Sequence, residues 1–492
     1  MQKNTSQSLL KSVCIRLSSE FPYFSVDFIK QLKKTHSSKI HVYCQTSTDE
    51  KFYRKVGADL YDSITTYQHL RRTGAEKIID PQPIIEKAKK YERKLGYTIN
   101  HIAVPDRGYG LGYALGGFYH PRSRFADQAN YIQMLSHYVQ SLEFWESEMK
   151  EKKITLCLSP LTDASYVANS LKIPCRWMAR SRFKNYHYWS PNIFWENPRA
   201  QKIYFSSKNK NLKKAKLVET YYSEKSRRGR RLQESKFFPA IVAILRQLLM
   251  RSYWFLRGYK KGKEGYYLKD TIRYIYQRWS HGRQATGKYT LRLKDLEDKP
   301  FVFFPLTTEP EINLQQRSPE YFYQLSTIAA LSRDLPAGVI LAVKEHVSAI
   351  GRRPRNFYDQ IKRFKNVVMV DFAESGIEII KKSRAVATIV GTAGLEAIIL
   401  GKPVILFGKH NSFDIVPHAK VVKDEGKLKK YLSDILNKPF DTKKAQSEGA
   451  KYLSALISSS FDFGHYDYID YKKYDKKIIK DAHKSLIESL GS

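Results

Sequence analysis

The chain has 492 residues, 42% of them hydrophobic and 13% aromatic, which is enough apolar material for two buried cores and argues against a disordered chain. It carries 85 Lys and Arg against 48 Asp and Glu, a formal charge of +37. Its partners are therefore expected among polyanions: nucleic acid, an anionic membrane, or an acidic glycan or lipid phosphate. Four cysteines, Cys14, Cys44, Cys157 and Cys175, show neither metal spacing nor a disulfide framework, which predicts reduced packing residues in a cytosolic protein. The N-terminus intersperses Lys3, Lys11, Arg16 and Glu20 among apolar residues and lacks a continuous hydrophobic leader, so export is not expected.

In chain order, strand-like runs are predicted at Lys39 to Cys44, Thr98 to Val104 and Ile154 to Leu158, with a helical stretch from Phe125 to Lys152. Between them lies the string PDRGYGLGYALGGFYHPRSR. Its glycines do not fit the dinucleotide fingerprint. One reading is an acceptor loop with Asp106 as general base and Arg107, Arg122 or Arg124 gripping an anion, and a glycine-rich surface loop with Asp106 capping a turn fits as well. A helix from about Asp163, with Asp163 as N-cap candidate, then leads to a short strand ending near Arg180. Arg180 and Arg182 are spaced to point the same way and can bind phosphate or carboxylate, or stay solvated.

Residues 207–293 concentrate the positive charge in strings such as EKSRRGRRLQESK and RGYKKGKEG. Within them Phe237 to Leu256 is rich in Phe, Ile and Leu but interrupted by Arg246 and Arg251, which disfavours a membrane span. It reads as a basic amphipathic helix in a headgroup region, or as a helix packed inside the first domain with its arginines at the edge.

From Phe301 the grammar becomes regular. Strands at Phe301 to Pro305, Val339 to Lys344, Asn366 to Asp371 and from Ala385 alternate with helices opening at Pro319, near Pro354 and from Ser375. This alternation predicts parallel βαβ units in a doubly wound α/β sheet, where ligands bind beyond the carboxyl ends of the strands. Pro305 to Glu311, Lys344 to His346 and Gly391 to Gly394 all fall at such ends. At the last of these, Gly391, Thr392, Ala393 and Gly394 open a short helix whose free amides and dipole suit a phosphate, with Glu396 one turn in, on the face of Thr392 and able to hold a ribose. An ordinary βαβ turn in which Glu396 merely favours the dipole fits that stretch equally. Lys344 and His346 share one face of their strand end and can reach the same phosphate or sugar carboxylate, with Glu345 facing elsewhere. Glu309 and Glu311 can act as acid/base or bind sugar hydroxyls. Arg352, Arg353 and Arg355 read as a solvated basic loop, with donor or acceptor contact as the alternative.

The ordered strings FFPLTTEPEI, LPAGVILAVKEH, GRRPRNFYDQIKRFKNVVMVD and ATIVGTAGLEAIILGKPVILFG, between Phe303 and Gly408, resemble bacterial capsule and surface-polysaccharide biosynthesis proteins that include the β-Kdo transferases. Two positions depart from the pattern: Thr307 stands where a His is common after Pro-Leu, and Val347 where a Pro usually follows Lys-Glu-His. The resemblance implies a GT-B fold, two Rossmann-like domains facing across a cleft, with the nucleotide-sugar donor held mainly by the second. It implies a glycosyltransferase of capsule or lipopolysaccharide assembly using a CMP-activated acidic sugar such as Kdo and a glycan or lipid-linked acceptor, without a further cofactor.

The expected organisation is a first domain over 1–298 that includes the basic helical region, a donor domain over 299–445, and a segment over 446–492 that crosses back to the first domain. Motifs for zinc proteases, α/β-hydrolases and P-loop enzymes are missing. No Asp-x-Asp occurs, in keeping with a metal-independent transferase in which protein cations and a helix dipole stabilise the leaving phosphate. The expected location is the cytoplasm, at the inner face of the plasma membrane, with an anionic membrane surface as partner and no nucleic acid. A polyol-phosphate transferase of the teichoic-acid type, and a non-enzymatic basic scaffold binding anionic lipid or RNA, are the alternatives.

Overall fold

The computed structural model describes residues 8–17, 21–67, 70, 78–105, 130–206, 233, 235–257, 268–308, 312–464 and 474–491. Their strands are β1 (Ser12–Leu17), β2 (Lys39–Cys44), β3 (Ser63–Thr66), β4 (Leu156–Leu158), β5 (Cys175–Arg180), β6 (Tyr186–Ser190), β7 (Phe301–Pro305), β8 (Ile340–Lys344), β9 (Val367–Val370), β10 (Ala385–Thr388), β11 (Val404–Leu406), β12 (Ala419–Val421) and β13 (Phe461–Asp462). They form two sheets in two compact units, one made of Met1–Ala103, Gln128–Lys208 and Ser454–Ser492, the other mainly of Asn209–Leu453.

The first sheet runs β13-β6-β5-β4-β1-β2-β3, parallel from β5 to β3, with β6 and β13 added antiparallel. This is a Rossmann-like order with its switch point between β1 and β4. The central strand β1 is absent from the strands expected from the sequence, because Lys11 and Arg16 interrupt its apolar run. Arg16 is tolerated there by reaching past the strand end, where its Nε donates to the Ser159 carbonyl at 2.9 Å.

The expected strand at Thr98 to Val104 is instead the helix Ile99–Ala103. Ile99, Ile102 and Ala103 are buried at helical spacing, and Thr98 Oγ1 accepts the His101 amide at 3.1 Å as a cap. The helix expected over Phe125 to Lys152 covers Tyr131–Glu151, opened by a capping box between Asn130 and Gln133. Asp163 lies inside the first turn of Thr162–Ser170, whose cap position is Leu161; its carboxylate accepts the Ala164 amide and the Ser141 hydroxyl. Cys14, Cys157 and Cys175 sit side by side across β1, β4 and β5, all buried and none in a disulfide.

The terminal helix Lys477–Leu490 belongs to this first unit. Trp189 Nε1 donates to the Ala482 carbonyl at 2.9 Å, and the buried Arg176 donates to the Ser489 carbonyl at 2.6 Å. Phe28 stacks on Trp189 with ring centres 5.5 Å apart, a contact of about 0.5 to 1.5 kcal/mol beyond area burial.

The second sheet, β12-β11-β10-β7-β8-β9, is wholly parallel, and its order is that of a doubly wound Rossmann sheet with β7 first and the reversal between β7 and β10. Its strands are buried apolar runs, as parallel strands covered on both faces require. The described residues within 209–298, expected with the first domain, group instead with this unit. The helix Leu268–Gln284 sets its His281 ring edge-on to Tyr358 at 5.3 Å. Beyond it Leu291 donates to the Met369 carbonyl at 2.8 Å and bridges to Val370 at the sheet edge. The sequence placed this region with the first domain, whereas the contacts of Leu268–Gln284 and Leu291 set them against the second core.

His36 and His483 join two helices of the first unit through ring nitrogens 2.9 Å apart. Burial, and then the neighbouring His36, pushes the His483 imidazole down to about 4, and burial lowers His36 as well. Unfolded imidazoles titrate near 6.5, so the pair's contribution is complete above that pH and declines as pH falls through about 4. Thermal melts should show a lower Tm at pH 5 than at pH 7.5, and a His36→Phe/His483→Leu variant should lose less of its Tm over the same interval.

Candidate functional site

The β10-β7-β8 order brings three strand ends side by side. Pro305 pairs with Lys344, and the Leu306 amide donates to the Lys344 carbonyl at 2.8 Å, so the turn after β7 runs beside the turn after β8. On the other flank β10 ends at Thr388, whose Oγ1 accepts the Gly391 amide at 3.1 Å and fixes the entry to the helix Thr392–Ile399. Lys344, His346, Gly391, Thr392, Ala393, Gly394 and Glu396 therefore belong to the strand-end edge of one sheet.

Position 345 reverses the polarity expected of a parallel strand end, since Glu345 is 1% exposed and needs a partner. Arg353, 0% exposed, supplies it with two parallel bonds, Nε to Oε2 at 2.9 Å and Nη2 to Oε1 at 2.8 Å. Tyr358 donates its hydroxyl to Oε2 at 2.8 Å, and the His346 amide donates to Oε1 at 2.6 Å. Burial pushes the Glu345 carboxyl up, but Arg353, the Tyr358 hydroxyl and the His346 amide outweigh it and hold the group below its usual value. Beside this cluster, burial pushes the His281 imidazole down to about 4, although the Glu345 charge acts to raise it. The solvated loop expected at Arg352, Arg353 and Arg355 is thus corrected at Arg353. A carboxylate turned into a core fixes the nearest reachable cation there with it.

Arg353 also links the strand ends. Its Nη2 donates to the Thr307 carbonyl at 2.7 Å, and the buried Gln324 side chain clamps the same residue from the other side, accepting from the Thr307 amide at 2.6 Å and donating to its carbonyl at 2.8 Å. The next residue, Thr308, places Oγ1 2.8 Å from His346 Nδ1, to which the Ser348 amide also donates at 3.2 Å. Since an amide can only donate, Nδ1 is the acceptor and the neutral ring carries its proton on Nε2. His346 is thereby oriented as a hydrogen-bond donor, and Lys344 precedes it by two residues at the same edge.

The glycines of the helix mouth have a packing cause. A Cβ on Gly391 would lie 2.7 Å from Thr388 Oγ1, and one on Gly394 would lie 2.9 Å from both the Phe413 ring and Thr388 Cγ2. Among the described residues no side chain caps this helix; the Gly394 amide donates to the Gly391 carbonyl at 3.2 Å, and the Thr392 and Ala393 amides, with the positive end of the dipole, suit an anion. The adjoining loop after β11 is tied in by Asn411, whose Nδ2 donates to the Ile389 and Gly408 carbonyls at 3.0 and 2.9 Å. Arg317 reaches the same loop, donating to the His410 carbonyl at 2.5 Å.

Asp106, Arg107, Glu309 and Glu311 lie outside the described residues, as do Arg122 and Arg124. Arg180 ends β5 at the strand-end edge of the first sheet. Arg182 does not continue the period-two direction expected of it, because its φ of 65° places it in a left-handed turn between β5 and β6. Sequence reasoning missed Thr308, Gln324, Arg353 and Tyr358. The available signal was the carboxylate at 345, at an inward position with a cation eight residues on. Among the described residues no cluster of His, Cys, Asp and Glu can hold a metal ion.

The family model for capsule polysaccharide biosynthesis proteins matches residues 210–416, a span that contains the whole strand-end edge. The match reaches upstream of Phe303 into the basic helical region. Among solved structures the chain is similar to the β-Kdo 2,4 transferase KpsC of Thermosulfurimonas dismutans, at 12% identity over 69% of this chain and 88% of that one, with a TM-score of 0.31. It is also similar to the β-Kdo 2,7 transferase KpsC of the same organism, at 14% over 71% and 89% with a TM-score of 0.34. The calicheamicin glycosyltransferase CalG4 matches at 9% over 91% and 95%, TM-score 0.25. Likenesses this weak say nothing of reaction or substrate. No curated protein matches the chain.

Arg353→Met should leave the Glu345 charge buried without its partner and cost about 3 to 5 kcal/mol in chemical unfolding. Adding Glu345→Leu should return much of that loss, because the uncompensated charge is then gone.

Proposed function

We propose that this protein is a glycosyltransferase of capsular or surface polysaccharide biosynthesis, with its nucleotide-sugar donor bound at the β7-β8-β10 edge of the second sheet. The observation that carries this reading is the convergence of an oriented His346, Lys344 and an uncapped helix mouth at the switch point of a doubly wound sheet. The family match over the same residues supports the biosynthetic setting.

In this reading the donor phosphate lies between the Thr392–Ile399 helix mouth and the Lys344–His346 turn. Cleavage of the sugar–phosphate bond builds negative charge on the departing nucleotide. The Lys344 ammonium, the His346 Nε2–H and the helix dipole oppose that charge without having to reorient. Glu396 takes the ribose hydroxyls, and the acceptor hydroxyl loses its proton to a carboxylate, with Asp106, Glu309 and Glu311 the candidates. Arg107, Arg180 and Arg182 are assigned to an anionic acceptor. For the donor we propose a CMP-activated acidic sugar such as Kdo, as the sequence resemblance implies.

Donor trials test this directly. Incubation with CMP-Kdo and with CDP-glycerol, followed by mass measurement of the acceptor, should show transfer of the sugar; transfer of glycerol phosphate instead would assign the chain to polyol-phosphate transfer, and neither would remove the enzymatic reading. His346→Ala should leave the melting temperature without ligand nearly unchanged, since the ring is partly exposed and sits on a turn beyond the strand end. Its transfer rate should fall by about 2.7 to 4 kcal/mol of barrier, and stabilisation by CMP should shrink from the roughly 2.7 kcal/mol that a ligand at a hundred times its Kd provides. Glu396→Gln should weaken nucleotide binding by about 1.5 to 3 kcal/mol in calorimetry. Unchanged affinity in a folded variant would return Glu396 to a dipole-stabilising role.

A further inference from the structure

The helix Phe237–Leu256 buries little of what its composition would lead one to bury. Ala240 is covered and Phe237 meets Trp279 of the helix Leu268–Gln284, with ring centres 5.7 Å apart. Away from that contact Phe238, Val242, Leu245, Leu249 and Leu256 follow one another at i, i+4, i+7, i+11 and i+18, which is a single stripe. They are 77%, 63%, 53%, 71% and 83% exposed. Ile241, Leu248 and Tyr253 widen the stripe and are exposed too. A continuous apolar surface of this length on a folded chain marks a contact site.

The charges indicate the occupant. No Asp or Glu occurs from Phe237 to Leu256, while exposed Arg246 and Arg257 border the stripe, exposed Lys236 precedes the helix, and exposed Lys269 and Arg273 stand on the helix Leu268–Gln284. An apolar stripe bordered by cations matches the boundary between acyl chains and anionic headgroups. Among the described residues no helix is long and apolar enough to cross a membrane, and this one contains Arg246 and Arg251, so lying in the interface is the geometry it fits.

We propose that the outward stripe of Phe237–Leu256 docks this protein on an anionic lipid bilayer, with Phe238, Val242, Leu245, Leu249 and Leu256 entering the interface and Arg246 and Arg257 meeting headgroup phosphates. The binding does not depend on the transferase reading, since its test needs no turnover. The whole chain is sedimented with vesicles of phosphatidylcholine alone and of phosphatidylcholine with phosphatidylglycerol, at low and high salt. The wild type should bind the anionic vesicles and keep part of that binding at high salt, the part due to apolar insertion. Val242→Ser/Leu249→Ser should lower the partition coefficient roughly tenfold or more while the melting temperature stays constant, because both side chains are already exposed. Arg246→Gln/Arg257→Gln should weaken binding to anionic vesicles alone. As a readout needing no loss of residues, an environment-sensitive fluorophore on L249C, in a chain whose own cysteines are buried, should shift to the blue on anionic vesicles. Unchanged partitioning of the serine variant, or a label that remains in water, overturns the proposal. A dimer found without vesicles and returned to monomer by the serine substitutions also overturns it, and gives the stripe to a second copy of the chain.

Discussion

The Glu345–Arg353 pair, shielded from solvent, ties the turns after β7 and β8 together at the strand-end edge of the second sheet. Removing a carboxylate and a guanidinium from water costs several kcal/mol each, and a pair of apolar residues could fill the same space at no loss of stability. What apolar residues could not do is hold the backbone. Through this one cluster the Thr307 carbonyl and the His346 amide, on neighbouring strand ends, share a rigid anchor. His346 then receives its orientation from Thr308, one residue from that anchor, and from Ser348. Turns at two strand ends acquire in this way a fixed geometry, which the transfer proposed above requires of them.

The same cluster explains where the sequence could be read and where it could not. β7, β8 and β10 were legible because a parallel strand covered on both faces is a short uninterrupted apolar run, and the turns and helices between such runs have their own signals. Lys344 and His346 were legible as an outward pair, because alternation along an extended chain depends only on position. Arg353 was not, since a run of arginines beside Pro and Gly has the composition of a surface loop, and only the three-dimensional return of that loop to Glu345 reveals its burial. β1 was hidden for a related reason, its Arg16 being accommodated by a carbonyl 143 residues away. Thr98–Val104 failed in the opposite direction. Its apolar residues satisfy both a short strand and one turn of helix, and the choice was made by Thr98 capping the helix and Glu92 Oε1 accepting the Ile99 amide at 2.9 Å.

Charge divides along similar lines. The excess of Lys and Arg is a property of the whole chain, yet its cations do different work. Arg176 and Arg353 are buried and hold backbone carbonyls, whereas Arg246 and Arg257 border an exposed apolar stripe. Composition could assign the basic region to the first domain or to a surface helix. Packing resolved the first part, since the helix Leu268–Gln284 lies against the second core, and left the outward face of Phe237–Leu256 as a surface whose apolar character the fold itself does not use.

The glycines at 391 and 394 bear on how much a Gly-rich turn can say about ligands. Such a turn invites the inference that a bound group comes close to the backbone. Here each glycine already has a steric cause within the protein, the Thr388 hydroxyl at one and the Phe413 ring at the other. Close helix-to-strand packing would demand both glycines with or without a ligand, so they are neutral between the two readings. The case for a phosphate rests instead on features that packing does not demand. An uncapped helix start is indifferent to stability or mildly unfavourable, and a His with both Thr308 and a backbone amide at one ring nitrogen presents the other as a donor. Those features lie on strand ends brought together at the one place in a doubly wound sheet where the helices on either side diverge. Substituting either glycine would therefore report on packing first, whereas Lys344 and His346 can be changed with little effect on the core, which makes them the informative positions.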